Sequence, residues 1–235
     1  MNWQAAEINP SARIIVALDL PTSAEALGLV RKLSPHAGFF KIGLQLYTAA
    51  GPDIVGAVRD EGGRVFLDLK LHDIPNTVAR AVESAGSLDV EMLTIHLSGG
   101  RAMTAAAVGA TPSTMLLLGV TVLTSADDTT LRETGIDSPV AEQVLRLAKL
   151  GAESGVGGIV ASAQELAPLR RAHGAKMKIV TPGIRPPGAK MDDQKRTMTP
   201  AQALNAGADF LVVGRPITAA QNPRAALEQL VADAV

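Results

Sequence analysis

With 235 residues and 47% hydrophobic content the chain can bury a sizeable core, at a size that α/β barrels reach as one domain. A net charge of −1 without any Lys/Arg-rich run argues against a nucleic-acid or membrane-surface partner, so a grip on an anion must be a local device. The absence of cysteine excludes disulfides, thiolate metal sites and a Cys nucleophile, and 3% aromatics with a single Trp makes a base-stacking platform improbable.

Residues 1–12 are mixed and polar, without the basic-then-apolar order of a secretory signal, and no apolar run reaches the ~18 residues of a membrane span. The expectation is a soluble, cytoplasmic protein. Strands are expected over residues 13–20, 39–47, 64–70, 92–97, 115–123, 157–162, 178–184 and 210–215. These runs are short and apolar on both faces, which suits parallel strands covered by helices. Helical patterns fill the gaps. Thr22-Ser23-Ala24-Glu25 reads as a capping box, residues 53–59 as a short amphipathic helix, and Pro75-Asn76-Thr77 as the opening of a third. An Ala-rich helix is expected over 100–108. Ser138-Pro139 and Asn222-Pro223 each read as an N-cap followed by Pro at the first helical position, and 164–171 and 200–206 are shorter candidates.

Eight strand-then-helix units with one composition throughout point to a single (β/α)8 barrel over residues 1–235, with 1–12 a candidate N-terminal extension. A doubly wound open sheet is the competitor. It would show a Gly-rich fingerprint after its first strand, where this chain has Leu18-Asp19-Leu20-Pro21.

In a barrel, functional groups sit where strands end and helices begin. Those ends supply Asp19, Lys41, the run Asp68, Lys70 and Asp73, then Thr124-Ser125, Thr181-Pro182-Gly183-Ile184-Arg185 and Gly214-Arg215. Strand alternation places Asp68 and Lys70 on one face. A salt bridge at a strand end explains that pair alone. The gathering of polar residues on one rim of an apolar chain favours an active site. Alternating signs along Asp19, Lys41, Asp68, Lys70 and Asp73 lower the cost of clustering, because each charge has an opposite neighbour, and a Lys held among carboxylates can donate a proton.

Gly214-Arg215 after strand eight suits a phosphate site, since Gly admits a ligand to the backbone and Arg grips phosphate bidentately. A solvated surface turn is the bland alternative. The Gly/Pro-rich, charged segment 183–199 is long enough for a lid, with Arg185 at its root and Gln194 within it, or for a solvated loop without contacts. Of the four histidines none shows zinc-type spacing, and His72 and His96 read as structural hydrogen-bonders.

Together these motifs resemble the orotidine 5′-monophosphate decarboxylase family. The resemblance rests on Leu18-Asp19, Phe40-Lys41-Ile42-Gly43-Leu44, the run Phe66 to Thr77 (FLDLKLHDIPNT), Val120-Thr121-Val122-Leu123-Thr124-Ser125, Thr181 to Arg185 and Val213-Gly214-Arg215-Pro216-Ile217, in family order over nearly the whole chain. It implies a homodimeric barrel that converts orotidine 5′-monophosphate to uridine 5′-monophosphate and CO2, the last step of de novo pyrimidine synthesis, with no metal and no cofactor. Under it Lys70 resembles the proton donor to C6 and Asp68 the carboxylate set against the leaving group. Asp73 and Thr77 resemble residues lent to the second protomer's site. Asp19 and Lys41 resemble ribose and charge-network residues. Thr124, with Ser125 beside it, matches a contact near the base, and Pro182 lies in the strand-seven motif. Arg185, Gly214 and Arg215 resemble the phosphate grip, and Gln194 the lid glutamine. Magnesium-dependent hexulose-phosphate synthases and keto-gulonate-phosphate decarboxylases share Asp-x-Lys-x-x-Asp, but resemble each other in a metal-binding Glu on strand two, where this chain has Lys41. A non-catalytic nucleotide-binding barrel is the reading from another class.

Overall fold

The computed structural model describes residues 10–186 and 198–234. The candidate N-terminal extension lies mostly outside them, and Pro10–Arg13 forms a 3-10 turn. The elements run β1 (Ile14–Ala17), α1 (Ser23–Leu33), β2 (Phe39–Gly43), α2 (Leu44–Ala50), α3 (Asp53–Asp60), β3 (Val65–Leu71), α4 (Pro75–Gly86), β4 (Met92–His96), α5 (Gly100–Gly109) and β5 (Leu116–Val120). They continue with α6 (Asp128–Glu133), α7 (Val140–Ser154), β6 (Gly158–Val160), α8 (Leu166–His173), β7 (Lys178–Thr181), α9 (Pro200–Asn205), β8 (Phe210–Val213), α10 (Arg215–Thr218) and α11 (Pro223–Ala232). All eight strands are parallel and close in sequence order, β1 pairing with β8. The expected (β/α)8 barrel is the observed one.

Two apolar cores explain why the strands are hydrophobic on both faces. Ile14, Val16, Phe40, Ile42, Leu67 and Leu93 pack outward in the core formed with the helices. Ile15, Ala17, Phe39, Phe66, Met92, Leu118, Val180, Phe210 and Val212 fill the barrel itself. Each large side chain so buried contributes roughly 1.5–3 kcal/mol. Phe39 and Phe210 meet edge to face at 5.6 Å, and the Arg64 guanidinium lies 3.9 Å from the Phe39 ring centroid. At the end of the barrel where strands begin, Asp209 takes an ion pair from Arg170, another from Lys178 at 3.0 Å, and the Ile179 amide at 2.7 Å. That polar clasp joins β7 to the start of β8.

Several local expectations change. The second strand stops at Gly43, where the chain turns into α2, which the apolar run Leu44 to Tyr47 disguised as more strand. The seventh stops at Thr181, and Ile184 makes an isolated bridge to Met198. Thr22 caps α1 by accepting from the Glu25 amide at 3.3 Å. Ser138 is not an N-cap: Pro139 takes that position, the Val140 amide donates to Asp128, and the Ser138 hydroxyl accepts from Arg146. Asn222 caps α11 as expected, accepting from the Ala225 amide at 3.1 Å. Helix α6 was not foreseen, although Asp127 and Thr130 form its reciprocal capping box.

Candidate active site

The C-terminal ends of the strands enclose a cavity of about 490 Å³. It is lined by Asp19, Lys41, Asp68, Lys70, Thr124, Pro182, Arg185, Gly214 and Arg215, over an apolar floor that includes Ala17, Phe66, Val160 and Val212. On β2 and β3 the inward face carries apolar residues deep in the barrel and charge at the top. Phe39 is followed at the same parity by Lys41, and Phe66 by Asp68.

The charges form a continuous chain. Lys41 Nζ lies 3.0 Å from Asp19 Oδ1 and 3.6 Å from Asp68 Oδ2, and Lys70 Nζ lies 2.8 Å from the same Asp68 oxygen. Lys41 and Asp68 are buried, at 9% and 8% exposure, whereas Asp19 opens toward solvent. Burial pushes the Asp68 carboxyl up, but the charges of Lys41 and Lys70, with hydrogen bonds from Lys70 and Thr94, outweigh it and hold the group below its ordinary range. Among the described residues no cluster of three or more His, Cys, Asp or Glu side chains could hold a metal ion.

Asp68 and Lys70 do meet, but not by regular alternation. The β3–β4 register shifts between Leu67 and Leu71, and Lys70 has φ +51°. A bulge turns the lysine toward the aspartate. Its amide donates to Thr94 Oγ1 at 2.9 Å, and the Thr94 hydroxyl donates to Asp68 Oδ1 at 2.9 Å.

On the opposite wall Gly183 has φ +79°, a conformation that favours glycine, and leads to Arg185, half buried beside the short helix α10 that opens with Arg215. The Arg185 amide donates to the Met198 carbonyl at 3.1 Å, so the two ends of the intervening loop are pinned together. Gln194 lies outside the described residues. Ser125 is exposed and does not line the cavity. Neither do Asp73 and Thr77, which belong to an exposed run from His72 to Thr77, with Asp73 accepting from the Ile74 amide at 2.6 Å. His72 and His96 pack ring against ring at 5.6 Å. Burial, then the charges of His72 and Lys70, hold His96 below the ordinary histidine range against the opposing pull of Asp68.

Two contributors escaped the sequence reading. Thr94 carried a signal, a polar residue at the inward parity of an apolar strand. Gly43 carried none: a Cβ there would stand 2.9 Å from Lys41 Nζ and 3.2 Å from Asp19 Oδ1, so its bareness makes room for that pair.

Residues 12–230 match the model of the "Orotidine 5'-phosphate decarboxylase / HUMPS family". The chain belongs to this family. It is 51% identical over 227 residues to the orotidine 5′-phosphate decarboxylase of Syntrophotalea carbinolica, covering 93% of each chain. It is 50% identical over 230 residues to that of Moorella thermoacetica, covering 94% of this chain and 91% of the relative. Among solved structures, orotidine 5′-phosphate decarboxylase from Lactobacillus acidophilus superposes with a TM-score of 0.83 at 38% identity, covering 94% of this chain and 98% of that one. Membership in the orotidine 5′-phosphate decarboxylase / HUMPS family agrees with the barrel and with the charged rim.

Proposed function

We propose that the protein decarboxylates orotidine 5′-monophosphate to uridine 5′-monophosphate, without a metal, and that Lys70 delivers the proton to C6. The observation that carries this reading is the chain Asp19, Lys41, Asp68, Lys70 at one side of a cavity whose other side carries Arg185 and Arg215. A cavity of about 490 Å³ is within the usual range for a small-molecule site.

Breaking the bond between C6 and the carboxylate releases CO2 and leaves the electron pair on C6, a vinylic carbon with little resonance help. A cation already in place stabilises that charge without reorganising. Lys70 gives a proton to C6, forming the C–H bond, and regains one from solvent. Asp68, fixed by hydrogen bonds from Lys70 and Thr94 and an ion pair with Lys41, opposes the substrate carboxylate more than the transition state, whose charge has moved toward the ring and Lys70. Asp19 and Lys41 hold the ribose hydroxyls and the charge network, and Thr124, with Ser125 on the same loop, faces the base. Arg185, Gly214, Arg215 and the backbone at Pro182-Gly183 take the phosphate, and Gln194 is assigned to the base and phosphate. Binding energy gained at the phosphate, remote from C6, then serves the reaction by fixing geometry.

Lys41 supports the metal-free reading over a magnesium-dependent one. Its amine occupies the space between two carboxylates that a cation would otherwise claim. We also place the enzyme in the cytoplasm as a homodimer with shared sites. Ile74, 67% exposed, and Leu44, 57% exposed, lie on the same rim as Asp73 and Thr77, which do not reach their own cavity. The direct test follows loss of orotidine 5′-monophosphate absorbance with purified protein before and after exhaustive EDTA. Unchanged turnover is expected. Abolition by chelator with rescue by Mg²⁺ would favour the magnesium-dependent alternative.

A further inference from the structure

Thr94 is fully buried in the middle of β4, shares its inward parity with Met92, and does not line the cavity. Its single hydroxyl does two things at once, accepting from the Lys70 amide and donating to Asp68 Oδ1. Both partners need it. Lys70 has the left-handed φ of +51°, a strained conformation for a non-glycine residue. The register shift also takes its amide out of the regular β3–β4 ladder, so Thr94 supplies the acceptor that a neighbouring carbonyl would otherwise provide. Asp68, with one oxygen fixed by Thr94, turns the other toward both Lys70 and Lys41.

We propose that Thr94 is a positioning residue: its hydroxyl locks the strained Lys70 backbone and the Asp68 carboxylate into one geometry, and so aims the Lys70 amine without touching substrate. The inference rests on the decarboxylase reading above. It separates Thr94 from a buried hydroxyl that merely satisfies its own hydrogen bonds, because both of its partners carry the chemistry.

The test compares Thr94→Val, which keeps the shape and removes the hydroxyl, with Thr94→Ser, which keeps the hydroxyl. The measurements are kcat and KM for orotidine 5′-monophosphate, the Kd of uridine 5′-monophosphate, and Tm. Misaiming a catalytic group by about 1 Å costs on the order of 10²-fold, so the valine variant should lose roughly that much kcat. Its KM and product Kd should stay within about threefold of the parent, and the serine variant should keep kcat within about threefold. A purely structural role would lower Tm and leave kcat per folded site intact. If the valine variant does not fold, Thr94→Ala takes its place in the same comparison. A hydroxyl-free variant whose kcat stays within about twofold of the parent overturns the proposal, as does a serine variant as slow as the valine one. A parent protein without turnover overturns the decarboxylase reading itself, and this inference with it.

Discussion

Lys70 is held by geometry at two points, its amine on Asp68 and its amide on Thr94. Because the amine is the proposed proton donor, Lys70→Ala should lower kcat by about 10²–10⁴-fold, as expected for loss of a general acid. Its circular dichroism should remain that of the parent. A variant with parental turnover would reject Lys70 as the proton donor. Asp68 offers a pH test. Its carboxyl lies below the ordinary range in the folded protein because Lys41, Lys70 and Thr94 together outweigh burial, the largest single influence. A group lowered on folding stabilises the native state above its unfolded value, and that stability is lost as pH falls through the folded value. Asp68→Asn should therefore be less stable than the parent at neutral pH, by about 3 kcal/mol, the lower end for breaking a buried pair because Lys70 is partly exposed. The gap should close as pH falls below the carboxylate range. Urea denaturation of both proteins across that window checks it, and a gap that does not change with pH would contradict the assignment.

At the scale of elements, β2 and β3 carry the site, each in a different way. β2 ends by turning at Gly43 into α2, and that turn is what the apolar run beyond Gly43 concealed. Gly43 has an extended backbone, φ −94° and ψ −177°, so alanine fits its conformation. The difficulty is space, since the new methyl would meet the Lys41 amine at 2.9 Å. Gly43→Ala should shift Tm by less than about 4 °C. It should cut kcat/KM about tenfold or more by displacing Lys41 from its two carboxylates. A variant with parental kcat/KM would show that the Lys41 position is not critical. β3 reaches the same rim through a bulge. Alternation correctly placed Asp68 and Lys70 together, but the contact depends on a register shift and a positive φ that period-two reasoning does not contain.

For the whole molecule, the closed sheet sets eight strand ends around one opening, and the segment after β3 leaves its residues His72 to Thr77 facing outward. If Asp73 and Thr77 serve a partner's site, a mixture of Lys70→Ala and Asp73→Ala proteins regains activity after subunit exchange. Random pairing into dimers yields one intact site in about half of the molecules, so recovery to about a quarter of parental turnover per site is expected. No recovery after exchange shown by mass spectrometry would reject shared sites.

Local chemistry determined much of this protein from its sequence. Apolar strands separated by capped helices specify a barrel, because strands buried on both faces need helices outside and side chains within. The polar residues at strand ends then had one rim to occupy, and Asp19, Lys41, Asp68, Lys70, Arg185 and Arg215 line one cavity there. Only the tertiary structure decided how they engage. Thr94 and Gly43 act across strands, on residues 24 or more positions away in one case and on the space between β1 and β2 in the other. Distances of that kind are set by register and barrel closure, which depend on every strand at once; parity marks Thr94 as a polar residue facing inward but does not say which groups it meets.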